Sequence, residues 1–451
     1  MKKTLTLTAI ALMFLFNAKA QESEENPLDT LARSVAAMRD ELNVKNRLKI
    51  SGYIQPQFQM ADSAGQASFN GGNFPKGVDN RFMVRRGRVK FQYTSAPGEK
   101  GWATSMYVLQ FDVTEKGLAI KDAYVKITDP WIGWFNLTAG VSDRPFGFEV
   151  GYSSSMRESP ERGRMSQLLF PGEREVGAKL TIQGPKSSNW NWLALDAGFF
   201  NGNGIGGAGI DVSDWDNTKD FIGHLYATKT NESQTVKYSG GISYYNGGFR
   251  IDSVNVYKMG ADGSGVGGFI IDTKAEDNGA VALDSRTHSK RVYYGIDGQV
   301  SFDWHAGMTT LRGEFITGEQ PGSAVTFKSP NNNSPFNVDI YSRKFNGAYF
   351  YFIQNIMSSP WQFVAKYDWF DPNTDVKGDE IGKAVDANTK QTNSVDIKYN
   401  TIGLGLVYRW DANVKITAYY DMVKNETSNN LSGYTADIPD NVFTLRMQVK
   451  F

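Results

Sequence analysis

Between Ser142 and Glu173 the chain sets Arg144, Arg157, Arg162 and Arg164 against Asp143, Glu149, Glu158, Glu161 and Glu173. A second basic concentration, Arg81-Phe-Met-Val-Arg85-Arg86-Gly87-Arg88-Val-Lys90, precedes it. Guanidinium groups at this density either grip oxyanions through paired N–H donors or are neutralised by nearby carboxylates. Residues 142–173 leave both outcomes open. Their mixed charge could set a transverse field across an opening, or Arg157, Arg162 and Arg164 could simply pair with Glu158, Glu161 and Glu173.

Other chemistries find no comparable residues. His224, His288 and His305 are far apart and show no ligand spacing, and there is no nucleophile elbow or His-Glu zinc motif. Cysteine is absent, which removes disulfide scaffolds and thiolate metal sites. The stretch Asp371-Pro-Asn373-Thr-Asp375-Val-Lys-Gly378-Asp-Glu380 resembles a calcium loop only superficially, because its glycine and last acid are misplaced. No catalytic residue, metal or cofactor is expected. A formal net charge of zero argues against nucleic acid as a partner.

The elements that must hold the arginines follow from periodicity. Lys2 and Lys3, the apolar run Leu5 to Phe16 and Ala18-Lys19-Ala20 predict a signal peptide over 1–20. Residues 21–47 form the next region, with a helix over 27–43 capped by Asn26 and opened by Pro27. Its Leu28, Leu31, Val35, Met38 and Leu42 make an a/d seam, suited to lying on a surface or to a small oligomerising bundle.

From Leu48 to Phe451 the period is two. Sixteen strands are predicted, near 48–60, 81–95, 102–113, 118–128, 134–141, 174–183, 190–200, 219–229, 235–245, 290–302, 305–317, 344–357, 361–370, 398–410, 414–424 and 441–451. Turns such as Asp303-Trp304 alternate with long connections such as 246–289 and 371–397, so tight turns gather at one end and long loops at the other. That sorting is expected of an up-and-down membrane barrel. The final strand ends on Phe451, similar to the sorting signal of bacterial outer-membrane proteins. Sixteen strands leave a lumen too wide for side chains to fill, and the loop 142–173 is placed to fold inward and narrow it. The strand face opposite the aromatic one tilts modestly basic, with Arg86, Arg88, Lys90, Arg312 and Arg446 among its charges against Asp112, Asp122, Glu314 and Asp421.

Three stretches carry a family resemblance. Arg81 to Lys90 is similar to the Arg-Arg-x-Arg signature of the phosphate-selective porin O and P family. Ala139-Gly140-Val141-Ser142-Asp143-Arg144-Pro145-Phe146-Gly147-Phe148-Glu149 resembles that family's Pro-Phe-Gly-x-Glu run, and Ser153-Ser-Ser155 with Glu158-Ser-Pro-Glu161-Arg162 follows in order. The resemblance implies a trimeric sixteen-stranded porin whose arginines and lysines guide phosphate. Arg85 and Arg86 match the signature's paired arginines and Arg88 the third, while Arg144 stands where the family often has lysine or another polar residue.

The resulting expectation is an all-β, 16-stranded antiparallel transmembrane β-barrel with a short N-terminal periplasmic helix, in a Gram-negative outer membrane. It would pass small hydrophilic solutes with a modest preference for anions, phosphate or polyphosphate among them. The alternative is a non-conducting surface-exposed structural or adhesin barrel. Arg85, Arg86, Arg88, Lys90, Arg144, Arg157, Arg162 and Arg164 are the candidate pore and anion-binding residues. Expected partners are outer-membrane lipid, small anionic solutes and, from the resemblance, two further copies in a homotrimer.

Overall fold

The structure is a computed structural model; it describes residues 47–205, 214, 218–250, 255–272, 288–328 and 339–451, with Leu31, Arg33–Val35 and Met38 ahead of them. The predicted signal peptide lies outside the described residues. The chain divides into two units, Met1–Leu48 and Lys49–Phe451. In the first, Leu31, Arg33–Val35 and Met38 are helical.

The second unit is an antiparallel sheet closed on itself. Its strands are β1 (Leu48–Ala61), β2 (Asn80–Thr94), β3 (Ser105–Thr114), β4 (Gly117–Thr128), β5 (Phe135–Asp143), β6 (Arg174–Gln183), β7 (Leu193–Phe200), β8 (Asp220–Thr230) and β9 (Val236–Arg250). After a short hairpin, β10 (Val256–Ala261) and β11 (Gly267–Ile271), come β12 (His288–Trp304), β13 (Gly307–Gly322), β14 (Ile340–Asn355), β15 (Trp361–Asp371), β16 (Tyr399–Arg409), β17 (Val414–Asn425) and β18 (Val442–Lys450). β9 pairs directly with β12, with Tyr244 facing Tyr294, so the hairpin stands outside a ring of sixteen. β1 closes the ring by pairing with both β2 and β18, Ile54 opposite Val449. The last residue completes the seam: Phe451 N–H donates to Gly52 O at 3.0 Å and Gly52 N–H returns the bond at 3.1 Å.

Alternation decides what each face meets. Along β1 Tyr53, Gln55, Gln57 and Gln59 are buried while Ile54 and Met60 are exposed. Along β18 Thr444, Arg446 and Gln448 are buried and Leu445 and Met447 exposed. Polar residues inside and an apolar belt outside invert the soluble arrangement and fit a lipid surround, where closure also pairs every backbone group. Trp102, Trp131, Trp134, Trp190, Trp192, Trp304, Trp361 and Trp410, of 10 tryptophans in all, gather at the short-turn end and mark one membrane boundary.

Strand positions match the sequence reading to within a few residues, except where strands rise past the lipid. β9, β12, β13 and β14 reach 15 to 17 residues. Their upper ends carry outward charge such as Lys290 and Glu319, so the apolar alternation fades before the strand does. The hairpin β10–β11, hidden within the expected loop 246–289, extends this taller wall by pairing β10 in parallel with β14, Tyr257 beside Tyr341.

One irregularity aims charge at the lumen. β4 gains an extra residue opposite Gln110/Phe111, so Lys121 and Asp122 both turn inward. Bulges of this kind re-aim side chains at functional rims. On β2 the consecutive Arg85 and Arg86 reach the same carboxylate, Arg85 the more exposed of the two.

Candidate functional site

Residues 144–173 leave β5, cross the lumen and return to β6. Asp143, expected in the loop, ends β5 instead. On the way out, Gly147 N–H donates to Ser243 Oγ at 2.9 Å, and the amides of Phe148 and Glu149 donate to Glu314 Oε2 at 3.2 and 3.0 Å. Gly147 has φ +57°, and a Cβ there would run into the Glu314 carboxylate, so glycine is required on both counts. The apex then docks on the far wall. Gln448 donates to Ser155 O at 3.1 Å and Lys415 Nζ to Arg157 O at 2.9 Å.

Glu161 is the anchor of the return path. Arg85 Nε lies 2.9 Å, Arg86 Nη2 2.7 Å and Arg446 Nη2 2.7 Å from its carboxylate. Burial opposes its ionisation, yet Arg85, Arg86 and Arg446 together hold it well below the usual carboxylate range. A short helix α1 (Arg164–Leu169) follows, its start tied by Glu149, which accepts from Gly163 N–H at 3.1 Å and Ser166 Oγ at 2.6 Å. Glu173 ends the loop between Lys121 at 2.7 Å, Arg174 at 3.0 Å and Arg162. It too stays ionised: burial pushes its pKa up, and Arg162, Lys121 and Arg174 bring it well below the ordinary value.

The loop divides the lumen. Phe146, Met165, Leu169 and Phe170 pack into a dry aromatic mass with Tyr245, Tyr293, Phe345, Tyr349 and Phe370. Phe327, from the connection after β13, joins the same mass, a second inward segment that the sequence did not disclose.

Between the loop and the β2–β4 wall lies a cavity of about 300 Å³. Arg85, Arg86, Arg88, Lys121, Arg157, Arg162 and Lys328 line it, seven cations against the three carboxylates of Asp112, Glu161 and Glu173. Arg157 is 3% exposed, and its Nη2 reaches only Tyr152 O at 3.5 Å; its Nε and Nη1 have no hydrogen-bond partner. Burial, then Arg162 and Arg86, lower its pKa to about 10, so it remains a cation at neutral pH. Arg88 Nε likewise lacks a hydrogen bond, sitting 3.5 Å from Asp112.

On the opposite side of α1 a niche of about 20 Å³ holds Arg164, Lys366, Asp368, Asp421 and Asp440. Arg164 is clamped between Tyr399, 3.6 Å from the ring centroid, and Phe69 at 4.4 Å.

Five of the eight candidate residues therefore share the cavity: Arg85, Arg86, Arg88, Arg157 and Arg162. Lys90 is half-buried on β2 and not among the lining residues. Arg144 is enclosed behind the loop, bonding Pro171 O at 3.1 Å and stacking 5.1 Å from Phe170. Arg164 faces the niche. The pairings within the loop also differ from the simple sequence alternative. Arg162 does meet Glu173, but Glu158 bonds Arg312 at 2.9 Å and Glu161 bonds the wall. Lys121 and Lys328 were not singled out from the sequence; the adjacent charges Lys121-Asp122 inside an alternating strand were the available signal for the first, and none marks the second.

A closed sixteen-stranded barrel with an inward loop is the architecture of porins. No protein-family model matches the chain, and no curated protein matches it by sequence. Solved structures do. The outer-membrane channel DcaP of Acinetobacter baumannii is 12% identical, aligned over 90% of this chain and 97% of its own, with a TM-score of 0.50. Salmonella typhi OmpF is 9% identical over 90% and 97%, also at 0.50. An anion-selective porin from Comamonas acidovorans is 10% identical over 90% and 99%, at 0.49. These likenesses are of fold.

Proposed function

We propose that the chain is a trimeric outer-membrane porin that lets small hydrophilic solutes diffuse passively and favours anions. The observation that carries this reading is the cavity beside the β2–β4 wall, where cations outnumber carboxylates and Arg157 keeps unpaired N–H donors. Charged linings set pore selectivity because the local potential raises the concentration of the opposite ion. Glu161 and Glu173 are saturated by cationic neighbours, so neither offers a free negative site to a passing cation. The open arginines suit carboxylate and phosphate oxygens alike. Phosphate preference within that class rests on the Arg85-Arg86-Gly87-Arg88 resemblance.

Planar-bilayer recording of the purified protein tests this. A current whose reversal potential in a chloride gradient has the anion sign supports it, and micromolar block by added phosphate would add the finer preference. A large unselective current makes the protein a general diffusion porin. A barrel without conductance is the second reading, favoured by how much of the lumen the loop and the aromatic mass occupy. Absence of current from correctly folded protein would establish it.

A further inference from the structure

The cavity beside the β2–β4 wall draws its cations from different depths. Most are matched within it: Arg85 and Arg86 by Glu161, Arg88 by Asp112, and Lys121 and Arg162 by Glu173. Among the described residues, Arg157 and Lys328 are the lining cations without an ion pair. Arg157 is buried, whereas Lys328, on the long connection after β13, is exposed. One stands inside the cavity and the other at its opening on the long-loop side. Resting on the anion-favouring reading above, we infer that Lys328 is a further selectivity-determining residue, the cation that captures small anions at the outer opening before they reach Arg157.

A surface lysine is ordinarily a loose charge, but this one is held from both sides. Phe327 is buried in the aromatic mass, 5.0 Å from Phe370 and 5.7 Å from Phe345. Its carbonyl accepts from Gln320 Nε2 at 2.9 Å, and the turn before it closes through Ser323 N–H donating to Thr326 O at 2.9 Å. Arg343, paired with Asp396 at 2.8 Å, grips that turn at Ser323 O at 3.0 Å. On the other side, Lys328 Nζ lies 6.0 Å from the ring centroid of Phe69, whose carbonyl accepts from Gln167 Nε2 on the constriction loop at 3.0 Å. An unpaired charge held at the mouth of a low-dielectric path raises the local concentration of the opposite ion and its rate of entry. A paired cation does so weakly, because its carboxylate cancels most of the field. Salt screens the effect, since the Debye length falls from about 30 Å at 0.01 M to about 3 Å at 1 M.

The chain has no cysteine, so Lys328→Cys offers one thiol whose charge can be set while the same channels are recorded. Lys290→Cys, exposed on the outward side of β12, is the control. Potassium chloride currents in planar bilayers would be recorded at about 0.05 M and about 1 M. Each is measured before and after a thiol reagent carrying an ammonium or a sulfonate group, with attachment confirmed by mass. At low salt the sulfonate on Lys328→Cys should cut the current about twofold or more, and the ammonium should return it to the native level. At high salt both effects should largely vanish, and Lys290→Cys should respond to neither reagent. An anion-signed native channel whose current ignores a sulfonate attached at position 328, or responds equally to one at position 290, overturns the capture role alone. A native reversal potential without the anion sign, or no current, overturns the anion-favouring reading and the capture role with it.

Discussion

Arg157 and Arg164 lie seven positions apart on one loop, the first buried and the second partly so, yet they meet opposite environments. Arg164 is sandwiched by Tyr399 and Phe69 in a niche with room for about one water, beside Asp368, Asp421 and Asp440. Arg157 borders a cavity some fifteen times larger and leaves Nε and Nη1 without a hydrogen bond, where Arg164 leaves its Nε. A buried cation is costly unless paired or stacked. Arg164 meets that condition within the protein. Arg157 does not, which marks its side of the loop as the one arranged for a visitor.

The strongest way to break this contrast is to release the loop. Glu161→Ala leaves Arg85, Arg86 and Arg446 without their shared carboxylate, and breaking a buried pair of this kind costs about 3–5 kcal/mol. Single-channel conductance should rise several-fold and become noisy, with a lower temperature for barrel unfolding on semi-native gels. Unchanged conductance would mean that the loop does not bound the path.

Next comes Arg157→Gln, which removes a cation from the cavity without orphaning a carboxylate. Anion selectivity should fall toward neutrality while thermal stability holds or rises slightly. A drop in stability with selectivity intact would assign Arg157 a structural part instead. On the other side, Arg164→Ala should do the reverse, costing about 1–2 kcal/mol of stability through its lost aromatic contacts and leaving the reversal potential in place.

Acidity separates the two sides more gently. Burial raises the Asp440 pKa to about 6, with Asp437 adding and Arg164 opposing. Because the folded value exceeds the unfolded one near 4, its contribution to stability is fully present below about pH 4 and is lost as pH rises through 6. The niche side should therefore tighten modestly on acidification from pH 7 to 4.5. Glu161 and Glu173 stay ionised across that window. Unfolding temperatures on semi-native gels at pH 7 and 4.5 check this.

The barrel was legible because lipid enforces its pattern. A strand with apolar Leu445 and Met447 outside and Arg446 and Gln448 inside announces both its faces. Where lipid ends, so does the pattern, and β10–β11 went unseen inside a loop of glycine and polar residues. The basic clusters were equally plain, and Arg85, Arg86, Arg88, Arg157 and Arg162 do come together. Their partners were not readable. That Glu161 would bond three arginines from two distant strands, or that Arg144 would stack on Phe170, depends on how the loop crosses the lumen. Period two also breaks at Lys121-Asp122, and that bulge adds Lys121 to the cavity wall.

On the proposed reading, ions pass between the loop and the β2–β4 wall and feel its arginines. The reversal potential in a potassium chloride gradient, for the native chain and for Arg157→Glu, reads this passage directly. The expected result is an anion-signed potential for the native chain and a shift toward cations in the variant. An identical potential in both would contradict it.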